Sequence, residues 1–265
     1  MRLPRLVCAL VLLLGVWVVA PVAQVTDLVS FWSLEEASGT RDDAHSTNDL
    51  ADTNSVGVAA GKVDNAADFE EGSAQYLSIA DNAALSMGDI DFTIVAWVNA
   101  ESFPGGDRSI VAKGDGTDGE YYLQYRTTST RFRFVAHGGT GFGTTNAVTA
   151  NNLGAPSPAT WYFIVAWHDA TANEVGIQVN DGTADTAAAT GGAIDDGGAF
   201  HLGAYPAFGQ HWDGLIDQVG VYKKVLSAGE KTALYNSNNG LSYAAMGGGA
   251  ATTPKLLLLG VGGHQ

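Results

Sequence analysis

Glu174-Val-Gly-Ile-Gln-Val-Asn-Asp-Gly182 decides the fold class of this chain. Val175, Ile177 and Val179 alternate with polar or small residues, the period-two pattern of a strand with one buried and one wet face, and Asn180-Asp181-Gly182 supplies a tight turn where positive φ is tolerated. The same logic extends outward. Arg131-Phe-Arg-Phe-Val-Ala136 sets Phe132, Phe134 and Ala136 on one side and Arg131 and Arg133 on the other. Phe92-Thr-Ile-Val-Ala-Trp-Val-Asn99 and Trp161-Tyr-Phe-Ile-Val-Ala-Trp-His168 are apolar on both faces, which suits the centre of a sheet covered on both sides or one whose second face lines an aromatic groove. Further strands are expected at 28–33, 75–80, 108–113, 121–126, 200–205 and 215–222, separated by Gly, Asn and Asp clusters in the spacing of an all-β sandwich or barrel. One short helix is expected at 228–235, because Ser227-Ala-Gly-Glu230 has the form of a capping box.

The ends read differently. Residues 1–23 place Arg2 and Arg5 before the apolar run Leu6 to Ala20, the layout of a secretory signal, so the mature chain is expected to be secreted or at the cell surface. An uncleaved anchor is the alternative, although the run is shorter than the ~20 residues a span needs. Cys8, the sole cysteine, lies in this segment, so the mature chain is expected to have no disulfide and to rely on its core and on bound metal. From Asn236 the chain is rich in Asn, Ser and Gly, and 246–254 reads as a linker before the short apolar run 255–261. The domain is therefore expected over 24–240, with 241–265 a Gly-rich, disordered tail.

Composition narrows the partners. The 265 residues, 46% hydrophobic and 15% charged, suit one or two folded domains. Lys and Arg number 13 against 28 Asp and Glu, a net −15 that becomes −17 without Arg2 and Arg5. Such a balance argues against nucleic acid and anionic lipid, whose binding rests on neutralising phosphate, and favours neutral ligands or cations.

Seven segments, in order, resemble the laminin-G-like jelly-roll domains of the concanavalin A-like lectin/glucanase superfamily. They are Phe31-Trp-Ser-Leu-Glu-Glu-Ala-Ser-Gly-Thr40, Gly61-Lys-Val-Asp-Asn-Ala-Ala-Asp-Phe69, Gln75-Tyr-Leu-Ser-Ile79, Phe92-Thr-Ile-Val-Ala-Trp97, Trp161-Tyr-Phe-Ile-Val-Ala166, Val179-Asn-Asp-Gly182, and Trp212-Asp-Gly-Leu-Ile-Asp-Gln-Val-Gly-Val-Tyr222 followed by Leu226-Ser-Ala-Gly-Glu230. The resemblance implies an all-β, two-sheet antiparallel jelly-roll sandwich with one short C-terminal helix, often calcium-stabilised and often used for glycan binding or adhesion. By position it implies a structural calcium at Asp43, Asn48 and Asp217, with Ser46 where a glycine is more usual. Calcium needs six to eight oxygen ligands, which an early loop and a late strand supply only if the fold joins them. The alternative is that Asp42, Asp43 and Asn48 form Asx turns and Asp217 caps backbone groups. Asp217 also falls in phase with Leu215, Val219 and Val221, so it is expected to point where they point.

For a carbohydrate or other surface polymer, the candidate contacts are Tyr122, Arg131, Arg133, Tyr205, His211 and Trp212. Sugar rings stack their C–H faces on aromatics, while their hydroxyls need a few placed polar groups. Each of these also reads as a packing residue, Trp212 above all. The histidines show no zinc spacing, and His168, ending a buried-looking strand, reads as structural. An enzyme is not expected. The superfamily's glucanases carry Glu-x-Asp-x-(x)-Glu on one strand, which none of the eight glutamates here reproduces, and neither a Gly-x-Ser-x-Gly elbow nor a phosphate loop is present. The leading expectation is an exported, non-catalytic, calcium-stabilised binding module for a glycan or surface polymer. Its rival is a structural or adhesive component of a cell-surface or viral particle assembly with no sugar site.

Overall fold

The computed structural model describes residues 24–116, 119–138 and 144–248, so the expected signal at 1–23 lies outside the described residues. The first strands are β1 (Leu28–Trp32), β2 (Ala51–Thr53), β3 (Gly57–Ala60), β4 (Asn65–Phe69), β5 (Tyr76–Ile79) and β6 (Phe92–Ala100). There follow β7 (Arg108–Gly114), β8 (Gly119–Arg126), β9 (Arg131–Gly138), β10 (Thr144–Thr149), β11 (Trp161–Asp169) and β12 (Glu174–Val179). The last are β13 (Asp185–Ala188), β14 (Phe200–Leu202), β15 (Ala204–Tyr205), β16 (Gln210–His211) and β17 (Gly214–Tyr222), before helix α1 (Ala228–Tyr235).

These strands build two large antiparallel sheets packed face to face. The first runs β13-β12-β11-β6-β17-β4-β3 with β1 also on β17; the second runs β10-β9-β8-β7-β14-β5-β2. Between them lies the core: Ile94, Ala96, Val98, Ile164 and Ala166 from the first sheet meet Tyr121, Leu123, Phe132 and Phe134 from the second. The period-two expectation for β9 and β12 therefore holds, because a strand with one buried face must put every second residue into this layer.

β6 and β11 occupy the centre of the first sheet, and both of their faces are covered. Val95, Trp97, Phe163, Val165 and Trp167 form a second apolar layer on the outer face, beneath Leu234 of α1. Tyr235 stacks on Trp97 at 5.8 Å, and Lys231 Nζ sits 3.4 Å from the Trp167 ring centroid. The capping box forms as expected: Ser227 accepts from the Glu230 N–H and the Glu230 carboxylate accepts from the Ser227 N–H.

The tail expected from residue 241 is corrected over 241–248. Leu241, Tyr243 and Met246 pack on this outer layer, Met246 with no exposed surface. The Met246 carbonyl accepts from Gln24 N–H at 2.9 Å, and Tyr243 stacks on Phe31 at 5.6 Å. Flexible composition was overridden here by the need to cover the aromatic second face of β6 and β11. Residues 249–265 lie outside the described residues.

A second correction concerns the phase of β17. Gln218 has φ of +47° and the register with β6 shifts between Asp217 and Gly220. This bulge puts Ile216, Val219 and Val221 together in the core. Asp217 consequently pairs opposite Trp97 on the outer face, out of phase with Val219 and Val221.

Candidate functional site

The three residues implied for calcium fall into two groups. Asp43 and Asn48 come together in the loop after β1. Asp43 Oδ1 accepts from the N–H groups of Phe31, His45 and Ser46, while Oδ2 accepts from Ser46 Oγ and the Asn48 N–H. Asn48 donates to Ser30 Oγ and its Oδ1 accepts from Asn82. Asp43 titrates below the usual carboxylate range: burial opposes ionisation, but the donors from Ser46, Phe31 and His45 outweigh it.

Asp217 sits elsewhere, beneath the loop between β3 and β4. Its Oδ2 accepts from the N–H groups of Lys62 and Val63 at 2.7 and 2.9 Å, and its Oδ1 is buried without a hydrogen-bond partner. Burial pushes this carboxyl up to about 7. The loop passes this close because residue 61 is glycine: a Cβ there would lie 2.3 Å from the Asn65 carbonyl oxygen and 2.7 Å from Asp217 Oδ2.

Asp43, Asn48 and Asp217 do not fit one shared calcium in this arrangement. Asp43 and Asp217 have no partner in common, and five protein donors already occupy the Asp43 carboxylate, which offers about four lone-pair positions. The geometry is that of the alternative reading, Asp43 closing an Asx turn and Asp217 capping backbone groups. Among the described residues, no group of three or more His, Cys, Asp or Glu side chains is arranged to hold a metal.

The sugar candidates are sorted by which face of the second sheet they occupy. Phe132 and Phe134 point inward, so Arg131 and Arg133 point outward; on β8, Tyr121 and Leu123 point inward, so Tyr122 and Gln124 join the arginines on the outer face. Over this face folds the β15–β16 hairpin, whose tip is a 3-10 turn, Pro206–Phe208, ending at Gly209 with φ of +63°. Proline at the start and a left-handed glycine at the end fix this tight turn. Phe208 is thereby held 49% exposed, edge-on to Tyr205 at 4.8 Å.

Tyr122, Tyr205, Phe208 and Gln210 line a cleft of about 220 Å³. Tyr122 lies 6.1 Å from Tyr205 and 5.6 Å from His137, and the Arg133 charge acts on its hydroxyl. Burial raises the Tyr122 phenol, an effect the neighbouring Arg133 charge partly offsets. Burial also raises Tyr205, so both phenols stay neutral hydrogen-bonding groups. His137 is pushed down to about 4 by burial and by the Arg133 charge. Gln210 is oriented by Ser109, whose hydroxyl donates to its Oε1 at 2.9 Å. Beside the cleft, Gly116 has φ of +92°, and a Cβ there would come within 2.4 Å of Ala207, so the approach of this loop to the turn requires glycine.

Of the expected contacts, Tyr122 and Tyr205 line the cleft and Arg133 flanks it. His211 lies apart, 6.3 Å from Tyr76, which in turn meets His201 at 5.6 Å. Trp212 is corrected to a core residue: it is 1% exposed and meets Phe103 edge-on, because strand alternation turns it inward where His211 turns outward. His168 is buried, with Nδ1 bonded to the Ile90 carbonyl, as a structural histidine. Phe208 and Gln210 were missed by the sequence reading. Their signal was Pro206-Ala-Phe-Gly209, a turn sequence that carries an aromatic. A second cleft of about 220 Å³, near Asn152, Asn180, Thr183 and Asp185, has no aromatic in its lining.

Among the described residues no carboxylate lines the cleft, although the charges of Asp196 and Asp115 act on Tyr205 and that of Asp107 on Tyr122. Glu120 is fully buried against Lys113 at 3.1 Å, and Lys113 also meets Asp81 at 2.8 Å. Burial and the Asp213 charge raise Asp68, which with Glu101 forms a separate acidic group.

Comparison with known proteins agrees with this architecture. Solved structures similar to the chain include the binding domain of Paraclostridial Mosquitocidal Protein 1 (15% identity, TM-score 0.65, covering 81% of this chain and 53% of that one). Domain 4 of AbnA, an extracellular arabinanase of Geobacillus stearothermophilus in complex with arabinotriose, matches at 13% identity and TM-score 0.56, covering 81% of this chain and 98% of that one. The botulinum neurotoxin serotype G binding domain matches at 12% identity and TM-score 0.60, covering 80% and 51%. The chain spans about half the length of these two toxin domains, and at such identities the likeness is one of fold. None of the curated proteins matches the sequence. Residues 71–230 match the laminin-G-like family described as the concanavalin A-like lectin/glucanases superfamily, and the chain belongs to that superfamily.

Proposed function

We propose that this chain is an exported, non-catalytic module that binds a glycan or other surface polymer in the cleft between Tyr122 and Phe208. The observation that carries the reading is the half-exposed Phe208 ring, held by a rigid turn beside Tyr122 and the amide of Gln210. A single exposed ring is ordinary on a protein surface, but Phe208 shares its cleft with Tyr122, Tyr205 and the Gln210 amide, the aromatic-and-polar lining of a ligand site. Sugar rings cover such surfaces with their C–H faces and use neighbouring amides and phenols for their hydroxyls. The known structures lend support of the same kind, since two are binding domains of toxins and one holds arabinotriose.

Non-catalytic action is supported by the lining of the cleft, which among the described residues has no carboxylate. Glycoside hydrolysis usually uses two, about 5 to 9.5 Å apart across the scissile bond. Export is supported by the Arg-led apolar run at the N-terminus, and the net −15 disfavours nucleic acid. Among the described residues, no helix is long and apolar enough to cross a membrane.

Pull-down of the full chain on a panel of insoluble and immobilised polysaccharides tests the proposal. Retention on at least one polymer, lost in Phe208→Ala with the melting temperature unchanged, is the expected result. Clean negatives across the panel would favour a structural or adhesive component without a sugar site.

A further inference from the structure

Net charge conceals how the charge is distributed. Of the 13 Lys and Arg in the sequence, three lie together on the outer face of the second sheet: Arg126, Arg131 and Arg133. Arg126 pairs directly opposite Arg131 across β8 and β9, and Arg133 pairs opposite Gln124. Two like charges facing each other across a ladder are destabilising. Among the described residues, no carboxylate forms an ion pair with any of the three. Asp107 is the acidic group nearest Arg133 in effect, but it caps the Thr127 N–H at 2.9 Å and leaves the three guanidiniums in excess. In a protein this acidic, three guanidiniums set against the single neighbouring carboxylate of Asp107 leave an excess of positive charge that an anion would balance.

The group is continuous with the cleft. Arg133 and Tyr122 project from the outer face of the adjacent strands β9 and β8, the Arg133 charge acts on the Tyr122 hydroxyl, and Tyr122 forms the cleft wall facing Tyr205 and Phe208. The Arg133 guanidinium carries five donors in the planar fork that matches a carboxylate. A sugar ring stacked in the cleft would carry an exocyclic group toward Arg133, and the next units of a chain would run toward Arg131 and Arg126.

Resting on the glycan-binding reading, we propose that the ligand is an acidic polysaccharide, its ring stacked in the Tyr122–Phe208 cleft and its carboxylate held by Arg133. Arg131 and Arg126 bind the carboxylates of adjoining units. The protein's overall negative charge does not forbid this, because at ~0.15 M salt charges more than about 8 Å away are largely screened and the local arginines decide.

The test uses the full chain with four soluble probes at physiological ionic strength: polygalacturonate, its fully methyl-esterified form, neutral arabinan and dextran sulfate. Polygalacturonate should bind, and methyl esterification, which removes the charge but keeps the ring, should weaken it at least about tenfold, the loss expected for a hydrogen-bonded charge pair. Arg133→Gln should cause a loss of similar size and Arg133→Lys a smaller one. Lys223→Gln, the same charge change just past the end of β17, should cause none. Equal binding of the acid and ester forms, or an Arg133→Gln variant that binds polygalacturonate like the wild type, would overturn the acidic class. So would dextran sulfate binding as tightly, with equal losses in Arg126→Gln and Arg133→Gln, which would mark a non-specific anion patch. Arabinan bound in a Phe208-dependent way, with polygalacturonate ignored, would overturn the acidic class and leave the cleft standing. Binding of no probe would overturn the acidic class, and the wider polysaccharide panel would then decide the fate of the cleft.

Discussion

His137 gives the second sheet an acid-sensitive point whose size follows from its surroundings. The residue is 2% exposed, and burial together with Arg133 lowers its imidazolium from 6.5 to about 4. Both states are neutral at pH 7. As pH falls below 6.5 the unfolded chain takes up a proton that the native state refuses until about 4, so the unfolded state binds more protons and stability is lost. At pH 5 the loss is about 2 kcal/mol, which for a domain of this size lowers the melting temperature by roughly 4 to 8 °C. Asp217 acts with the opposite sign: its carboxyl is raised to about 7, so the native state binds the extra proton and acid favours folding there. The two are separated by a difference of differences. Calorimetric melting of wild type and His137→Gln at pH 7 and pH 5 should show the wild type losing about 2 kcal/mol more than the variant. Parallel pH dependence in the two proteins would refute the reasoning, because the Asp217 contribution is common to both and cancels.

Other outcomes follow from the packing. Calcium added after a chelator should leave the melting temperature in place, whereas an ion shared by Asp43, Asn48 and Asp217 would raise it by roughly 5 to 10 °C at a hundredfold excess over its dissociation constant. Met246→Ala should lower stability by about 2 to 5 kcal/mol in denaturant titration, the cost of emptying a buried methionine site; no change would show that 241–248 does not seal the outer face. Ser227→Ala should cost about 1 kcal/mol by the same assay, the usual worth of an N-cap that accepts from the helix backbone.

Alternation made the sandwich legible. The inward residues of β9 and β12 are those the period-two pattern selects, and Ser227 and Glu230 mark the helix start because capping is a local interaction. Chemistry that depends on distant partners was less visible. Nothing local in Leu215-Ile-Asp-Gln-Val219 announces that Gln218 adopts a left-handed φ, and that one bulge moves Asp217 to the other face. Met246 sits in a run that reads as a linker, although Trp97 and Phe163 already advertised an outer surface in need of cover. At the site, Tyr122 and Arg133 could be placed on one face from strand pairing alone. Phe208 could not, because its exposure depends on how the turn from Pro206 to Gly209 folds back over β7, a contact between segments about a hundred residues apart.

Mapping a bound oligosaccharide by backbone and side-chain chemical shifts tests the central claim most directly. With an oligomer drawn from a polymer that the full chain retains, the largest perturbations should fall on Phe208, Gln210 and Tyr122, with smaller ones at Arg133. Perturbations centred on Asn152, Thr183 and Asp185 instead, with the Tyr122–Phe208 cleft silent, would contradict the account.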